Sequence, residues 1–207
     1  MYKLMGRKGT GSAAVEALLA LVGAEYKVED VERDAQGAIP AIYRRINPRG
    51  EVPSLILGDD SVMTESAAIM IYLADLHPKA GMAPAIASPE RARYLRWMTY
   101  LATTLYMSDL RYFYPERYSV DESAAPGIKA KAVADMESEF AVLSEGLGKG
   151  PWFVENRMTA LDIYAAMLLS WAPDQKALFA KHPNLGALSQ AVAANPAVAK
   201  VWARHGM

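Results

Sequence analysis

The sequence predicts an α/β domain followed by an all-helical domain. Three observations lead there. Short β-prone segments occur only before residue 65, apolar residues recur at helical spacing through the rest, and residues 79–90 (KAGMAPAIASPE) have the composition of a linker. The expected boundaries are 1–78 for an α/β domain of order βαβαββα, 79–87 for the linker and 88–207 for the helical domain. A chain of 207 residues, 52% hydrophobic and 22% charged, can bury a sizeable core and does not have the composition of a disordered chain.

Each element has a local reason. Tyr2–Met5 reads as a short strand. Ser12–Val22 carries Val15, Leu18, Leu19 and Val22 on one face and ends at Gly23, which marks a helix. Tyr26–Val31 is a second strand and Pro40–Ile46 a weaker helix. Ser54–Leu57 and Ser61–Thr64 flank the turn residues Gly58-Asp59-Asp60 and are expected to pair as a hairpin. Pro53 has no N–H to donate, so it belongs at the start of its strand. The helix after Thr64 carries Ile69, Tyr72, Leu73 and Leu76, and Pro78 stops it.

In the second part, Ser88 is placed as an N-cap and Pro89 as the first helical residue. Leu95, Met98, Ala102 and Leu105 form one stripe, with Tyr94, Trp97 and Leu101 beside it, so this helix is expected between neighbours. Residues 115–127 (PERYSVDESAAPG) form a loop. Val133, Met136, Phe140, Leu143 and Leu147 mark the next helix, which Gly148–Pro151 ends. Thr159-Ala160-Leu161-Asp162 has the form of a capping box, with Met158 and Ile163 placed as its hydrophobic staple. Two short helices close the chain, one with Leu185, Leu188 and Val192, the other with Val198, Val201 and Trp202 after Pro196.

Composition narrows the function. A formal net charge of -1 gives no overall attraction to nucleic acid or to an anionic membrane. The absence of cysteine excludes disulfides, a CxxC redox pair, thiolate metal sites and a cysteine nucleophile. His77, His182 and His205 are scattered and form no ligand pattern, so no metal is expected. No apolar run is long enough to cross a bilayer. Lys3, Arg7 and Lys8 precede the apolar Ala13–Gly23 as in a signal peptide, but Glu16 interrupts that run and amphipathic spacing explains it better, so a cytoplasmic location is expected.

Residues 47–78 (NPRGEVPSLILGDDSVMTESAAIMIYLADLHP) have the build of a small-peptide site. The N–H and C=O of Val52 can pair with an extended peptide as a sheet edge does. The helix opened by Glu65-Ser66 can hold a carboxylate at its free N–H groups. Glu65 can meet an amino group, and the Ser66 hydroxyl and N–H an α-carboxylate. Each residue also has a plain structural reading, as a strand-start proline or an ordinary helix-start residue. The ordered set favours the peptide site.

In order and spacing, residues 47–78 closely resemble the glutathione-binding half of cytosolic glutathione transferases. The order of elements resembles their thioredoxin-like domain, and the capping box resembles a folding signature of their helical domain. GTGSAAVEALLALVG near the start and FYPERY in the middle look most like bacterial members. The resemblance implies a cis bond before Pro53, glutathione held by Val52, Pro53, Glu65 and Ser66, and a homodimer. Family members ionise the glutathione thiol with a side chain just after the first strand. Here that strand ends Met5-Gly6, so the tyrosine of one group is absent, and Gly11 stands where another group has cysteine.

This leaves a serine/threonine type, with Thr10 and Ser12 both as candidates. A thiol of reference pKa about 8.5 is part-ionised beside a helix N-terminus and a donor. Ser12 can equally be a plain N-cap, and Thr10 a solvent-facing turn residue. Gly9 and Gly11 allow close approach of a ligand. Arg49, with Arg7 and Lys8, is a candidate for the glycine carboxylate. Tyr106, Tyr112 and Tyr114 are candidates for a hydrophobic second-substrate site.

The expected activity is glutathione S-transferase: the thiolate attacks a hydrophobic electrophile, with glutathione as cosubstrate, in a detoxification role. Glutathione-dependent disulfide or peroxide reduction, and a non-catalytic ligand-binding or interaction module of the same fold, are the alternatives.

Overall fold

The computed structural model of the chain describes residues 1–207. Two compact units divide them, residues 1–83 with 193–207, and residues 84–192.

The first unit is built on a four-stranded sheet of order β2-β1-β3-β4. The strands are β1 (Tyr2–Gly6), β2 (Tyr26–Asp30), β3 (Ser54–Ile56) and β4 (Val62–Met63). β1 runs parallel to β2 and antiparallel to β3, and β3 pairs antiparallel with β4. The parallel pair needs a crossover, which α1 (Ser12–Leu21) supplies. α2 (Ala41–Arg44) and α3 (Ser66–Leu76) complete the expected βαβαββα order. This is a thioredoxin-like sheet followed by a helical region, as the sequence implied.

Alternation along β1 sends neighbouring side chains to opposite faces. Leu4 and Leu55 are fully buried with Ala13, Leu18, Leu19, Ile69, Met70 and Leu73 of the packed helices α1 and α3. Met5 joins Val31, Ile39 and Tyr43 in a smaller cluster, with Ile46, Val52 and Ile56 packed against it. The buried stripe of α3 is Ile69, Met70, Leu73 and Ala74, while Leu76, expected on that stripe, is exposed.

The second unit holds α4 (Glu90–Tyr100), α5 (Tyr106–Phe113), α6 (Ala125–Leu147), α7 (Ala160–Leu169), α8 (Gln175–Lys181) and α9 (Pro183–Ala193), which ends at the unit boundary. A π-helical turn, Leu101–Leu105, joins α4 to α5. Ser88 Oγ accepts the Glu90 N–H at 3.2 Å, but the N-cap position falls to Pro89 and not to Ser88, because the helix begins at Glu90. The buried face of α4 is Tyr94, Trp97 and Met98, continued by Leu101 and Leu105, and Leu95 lies outside it. Trp97 fixes one close approach: a Cβ on Gly146 of α6 would lie 1.7 Å from the indole ring. Within residues 115–127, Pro115–Tyr118 and Glu122–Ala124 form 3-10 turns, and helix α6 already begins at Ala125. The short helix α8 was not expected from the sequence.

The sequence boundaries grouped residues 193–207 with the helices before them. In the structure α10 (Pro196–His205) packs on α1 and belongs to the first unit, because Val198, Val201 and Trp202 bury their stripe there. No helix is long and apolar enough to cross a membrane.

Candidate functional site

Three segments of the first unit meet at one end of the sheet. The register Met5↔Ser54 brings the loop after β1 beside Val52 and Pro53. The register Leu55↔Met63, continued past β4, brings Glu65 and Ser66 to the same place.

The first segment is the loop Arg7–Gly11. Gly6 must be glycine, because a Cβ there would lie 2.8 Å from the Ser12 Cβ. This close approach of strand end to helix start is a physical reason for Gly6 at the strand end. Ser12 Oγ accepts the Arg7 N–H at 3.1 Å and donates to the Arg7 carbonyl at 2.9 Å. Thr10 Oγ1 donates to the same carbonyl at 2.6 Å and lies 2.9 Å from Ser12 Oγ. Ser12 is 1% exposed, whereas Thr10 is half-buried. Ser12 does not cap its helix: Gly11 holds the N-cap position, and no side chain caps it.

The second segment is Asn47–Ser54. Asn47 Oδ1 accepts the Arg49 N–H at 3.1 Å, and its Nδ2 donates to the Glu51 carbonyl at 2.8 Å. Gly50 closes the turn at φ 68°. Tyr43 Oη donates to the Glu51 carbonyl at 2.6 Å and lies 2.8 Å from Ser54 Oγ. Burial raises the Tyr43 hydroxyl above its ordinary value, while the Ser54 and Asn47 bonds and the charge of Arg7 pull it down. The Val52–Pro53 bond is cis. The ladder to β1 begins at Ser54, so the Val52 N–H and C=O lie outside it. The Arg49 guanidinium is exposed and forks onto Glu51, at 2.8 and 3.1 Å.

The third segment is the start of α3. Glu65 stands at its N-cap with φ 66° and ψ 100°, a conformation that costs a side-chain-bearing residue on the order of 1–3 kcal/mol and clusters at ligand sites. Its carboxylate is exposed, and Ser66, the first helical residue, is half-buried.

Sequence reasoning ranked Arg49 with Arg7 and Lys8 for a ligand carboxylate. The structure separates the first two. The Arg49 fork is occupied, while Arg7 Nη1 is buried with no hydrogen-bond partner, an arrangement that calls for an anionic or polar group. Tyr43 and Asn47, which brace the Val52 turn, were not singled out from sequence. Only the NPRG turn composition pointed toward them. His205 was also missed: its Nδ1 accepts the Gly9 N–H at 3.2 Å.

The three tyrosines lie in the second unit. The Tyr106 ring stands 5.5 Å from Trp171 edge-on and 6.4 Å from Tyr164. Tyr112 lies under Lys129 Nζ at 4.5 Å, and the Arg117 guanidinium covers Tyr114 at 3.9 Å. No group of three or more His, Asp or Glu side chains is placed to hold a metal.

A strand edge with free main chain, a strained helix start and a hydroxyl-bearing loop at a second helix start can hold an extended peptide with its ends fixed. Both parts of the chain match known protein families. Residues 12–76 match the family model "Glutathione S-transferase, N-terminal domain", and residues 111–205 match "Glutathione S-transferase, C-terminal domain". Glutathione S-transferase GstA of Escherichia coli O157:H7 is 30% identical over 165 residues, covering 80% of this chain and 79% of that protein. This chain belongs to the glutathione S-transferase family. The uncharacterized GST-like protein YncG of Escherichia coli K12 is 29% identical over 206 residues, covering 99% of this chain and 98% of its own. Among solved structures, a glutathione transferase homologue from Sulfitobacter with bound glutathione superposes with a TM-score of 0.91 at 25% identity, over 100% of this chain and 99% of that one. A sphingomonad glutathione S-transferase complexed with glutathione gives a TM-score of 0.83 at 28% identity, over 99% of both chains.

Proposed function

We propose that this protein is a cytoplasmic, homodimeric glutathione S-transferase that adds the glutathione thiolate to a hydrophobic electrophile. The single observation that carries this is the meeting of three segments at one sheet end, with the Val52 main chain outside the ladder. Relatives of the same fold have been solved with glutathione bound.

In this reading the glutathione backbone pairs with Val52 beside Pro53. Ser66 and the α3 N–H groups take the γ-glutamyl carboxylate, and Glu65 takes its amino group. Arg7 takes the glycine carboxylate in preference to Arg49, and Gly11 leaves room beside the sulfur. Thr10 is the hydroxyl that reaches the thiol, because it is accessible and Ser12 is not. When Thr10 turns its proton to the sulfur, the Arg7 carbonyl keeps the Ser12 donor. Thr10 and the start of α1 then stabilise a thiolate, which is the attacking nucleophile. The second substrate meets the aromatic set of Tyr106, Tyr112 and Tyr114, and no metal takes part.

Titration calorimetry with glutathione tests this, with Ser66→Ala beside the wild type. Binding that Ser66→Ala weakens by about tenfold or more supports the placement of the γ-glutamyl end. A wild type that fails to bind millimolar glutathione overturns the proposal.

A further inference from the structure

We infer that His205, near the end of the chain, is a positioning residue for the loop that carries Thr10. The inference rests on the transferase reading above, in which Thr10 acts on the thiol.

The His205 side chain is fully buried, and both ring nitrogens are engaged. Nδ1 lies 3.2 Å from the Gly9 N–H, which can only donate, so Nδ1 carries no proton. With Nδ1 accepting, the ring proton sits on Nε2, 2.9 Å from Glu16 Oε2; Arg204 Nη1 also stands 3.1 Å from Nε2 and donates to the same carboxylate oxygen. Glu16, in the middle of α1, is only 5% exposed. Its Oε2 also accepts from Arg204 Nη1 at 2.7 Å, and Arg204 Nη2 continues to Asp30 Oδ1 at 2.6 Å at the end of β2. The carboxylate fixes the tautomer and orientation of the imidazole, and the imidazole fixes a backbone amide.

That amide belongs to the residue before Thr10. The other hydrogen bonds within this loop are local, among Arg7, Thr10 and Ser12. They tie it to the start of α1, as does the bond from the Ala13 N–H to the Thr10 carbonyl at 2.9 Å, but they give it no tie to a segment distant in sequence. The His205 bond, between residues 196 apart in sequence, supplies that tie. A histidine that only filled space would not need its Nδ1 on a loop amide. The backbone that leads into Thr10 is thus braced from the C-terminal helix, while Arg7 and Ser12 orient the hydroxyl itself, and misplacement of such a donor costs catalysis more than binding.

Two near-isosteric variants divide the two bonds. His205→Gln places an amide near Nε2, keeping the Glu16 bond and losing Gly9. His205→Asn places a carbonyl near Nδ1, keeping Gly9 and losing Glu16. For His205→Gln we expect near wild-type melting and glutathione affinity within about threefold. We also expect a bound thiol pKa raised by about one unit, and a kcat with chlorodinitrobenzene about tenfold lower at unchanged KM. His205→Asn should restore the thiol pKa and kcat while melting at lower temperature. Hydrogen exchange at the Gly9 amide, measured without glutathione, should speed up in the Gln variant and not in the Asn variant. A Gln variant with wild-type thiol pKa, kcat and Gly9 exchange makes His205 a packing residue and overturns the inference. Failure of the wild type to bind glutathione overturns the transferase reading instead, and the Gly9 exchange still decides whether His205 holds the loop.

Discussion

Thr10 and Ser12 draw on one acceptor, the Arg7 carbonyl, but Ser12 is buried and also accepts the Arg7 N–H, whereas Thr10 is half-buried. Ser12→Ala strands the Arg7 N–H, so it should destabilise the fold by about 1–3 kcal/mol in urea unfolding. Thr10→Ala removes a half-exposed hydroxyl, so it should leave stability nearly unchanged. It should raise the thiol pKa of bound glutathione and lower kcat by about 10–100-fold. The reverse pattern would return the activating role to Ser12. The basic residues divide in the same way. Arg7→Ala should weaken glutathione binding by about 10–100-fold, since a charge-assisted bond contributes about 1.5–3 kcal/mol, and Arg49→Ala by less than about threefold. Calorimetric affinities check both. Neither distinction was visible from residue types, because one depends on which hydroxyl is buried and the other on which arginine Glu51 already occupies.

The capping box at the start of α7 was legible because its two side chains and the helix start are local in sequence. What the sequence did not show is its third partner. Asp162 is fully buried and accepts the Thr159 N–H and hydroxyl, each at 2.7 Å, and the Phe153 N–H at 3.0 Å. Asp162→Ala therefore removes a cap and strands a buried amide, and should cost about 3 kcal/mol in thermal or urea unfolding. α8 escaped notice because its seven residues bury only Leu178, too little for a periodic signal.

The α5–α6 interface holds a less legible feature, Asp109, buried with neither carboxylate oxygen hydrogen-bonded. Burial, and then the charge of Glu139, raise its pKa well above the ordinary value. Ser108 donates to Glu139 at 2.8 Å, and Arg111, Asp135 and Lys131 lie around the pair. The folded state keeps the Asp109 proton after the unfolded chain has released it near pH 3.9, so this group lowers stability progressively as pH rises above about 4. Asp109→Asn should melt like the wild type at pH 4 and be more stable than it at pH 8. A gap that does not widen with pH would contradict this.

At the scale of the whole chain, the first unit is made of both ends of the sequence. Glu16 looked like an interruption in an apolar helix. Its partners, Arg204 and His205, lie 188 and 189 residues away, and periodicity within a segment cannot report such a partner. The stripe of Val198, Val201 and Trp202 was equally visible, but a stripe does not say which surface covers it. In the structure α1 does, and α1 is in turn the helix that opens beside Thr10. Trp202 is 7% exposed, so Trp202→Ala should cost about 3–5 kcal/mol. The loss should be local in origin. Hydrogen exchange should show protection falling most in α1 and β1, with α6 and α7 less affected. If protection instead fell evenly across all the helices, the C-terminal helix would not be the particular support of the first unit. The placement of the Arg7–Gly11 loop would then have to come from the sheet alone.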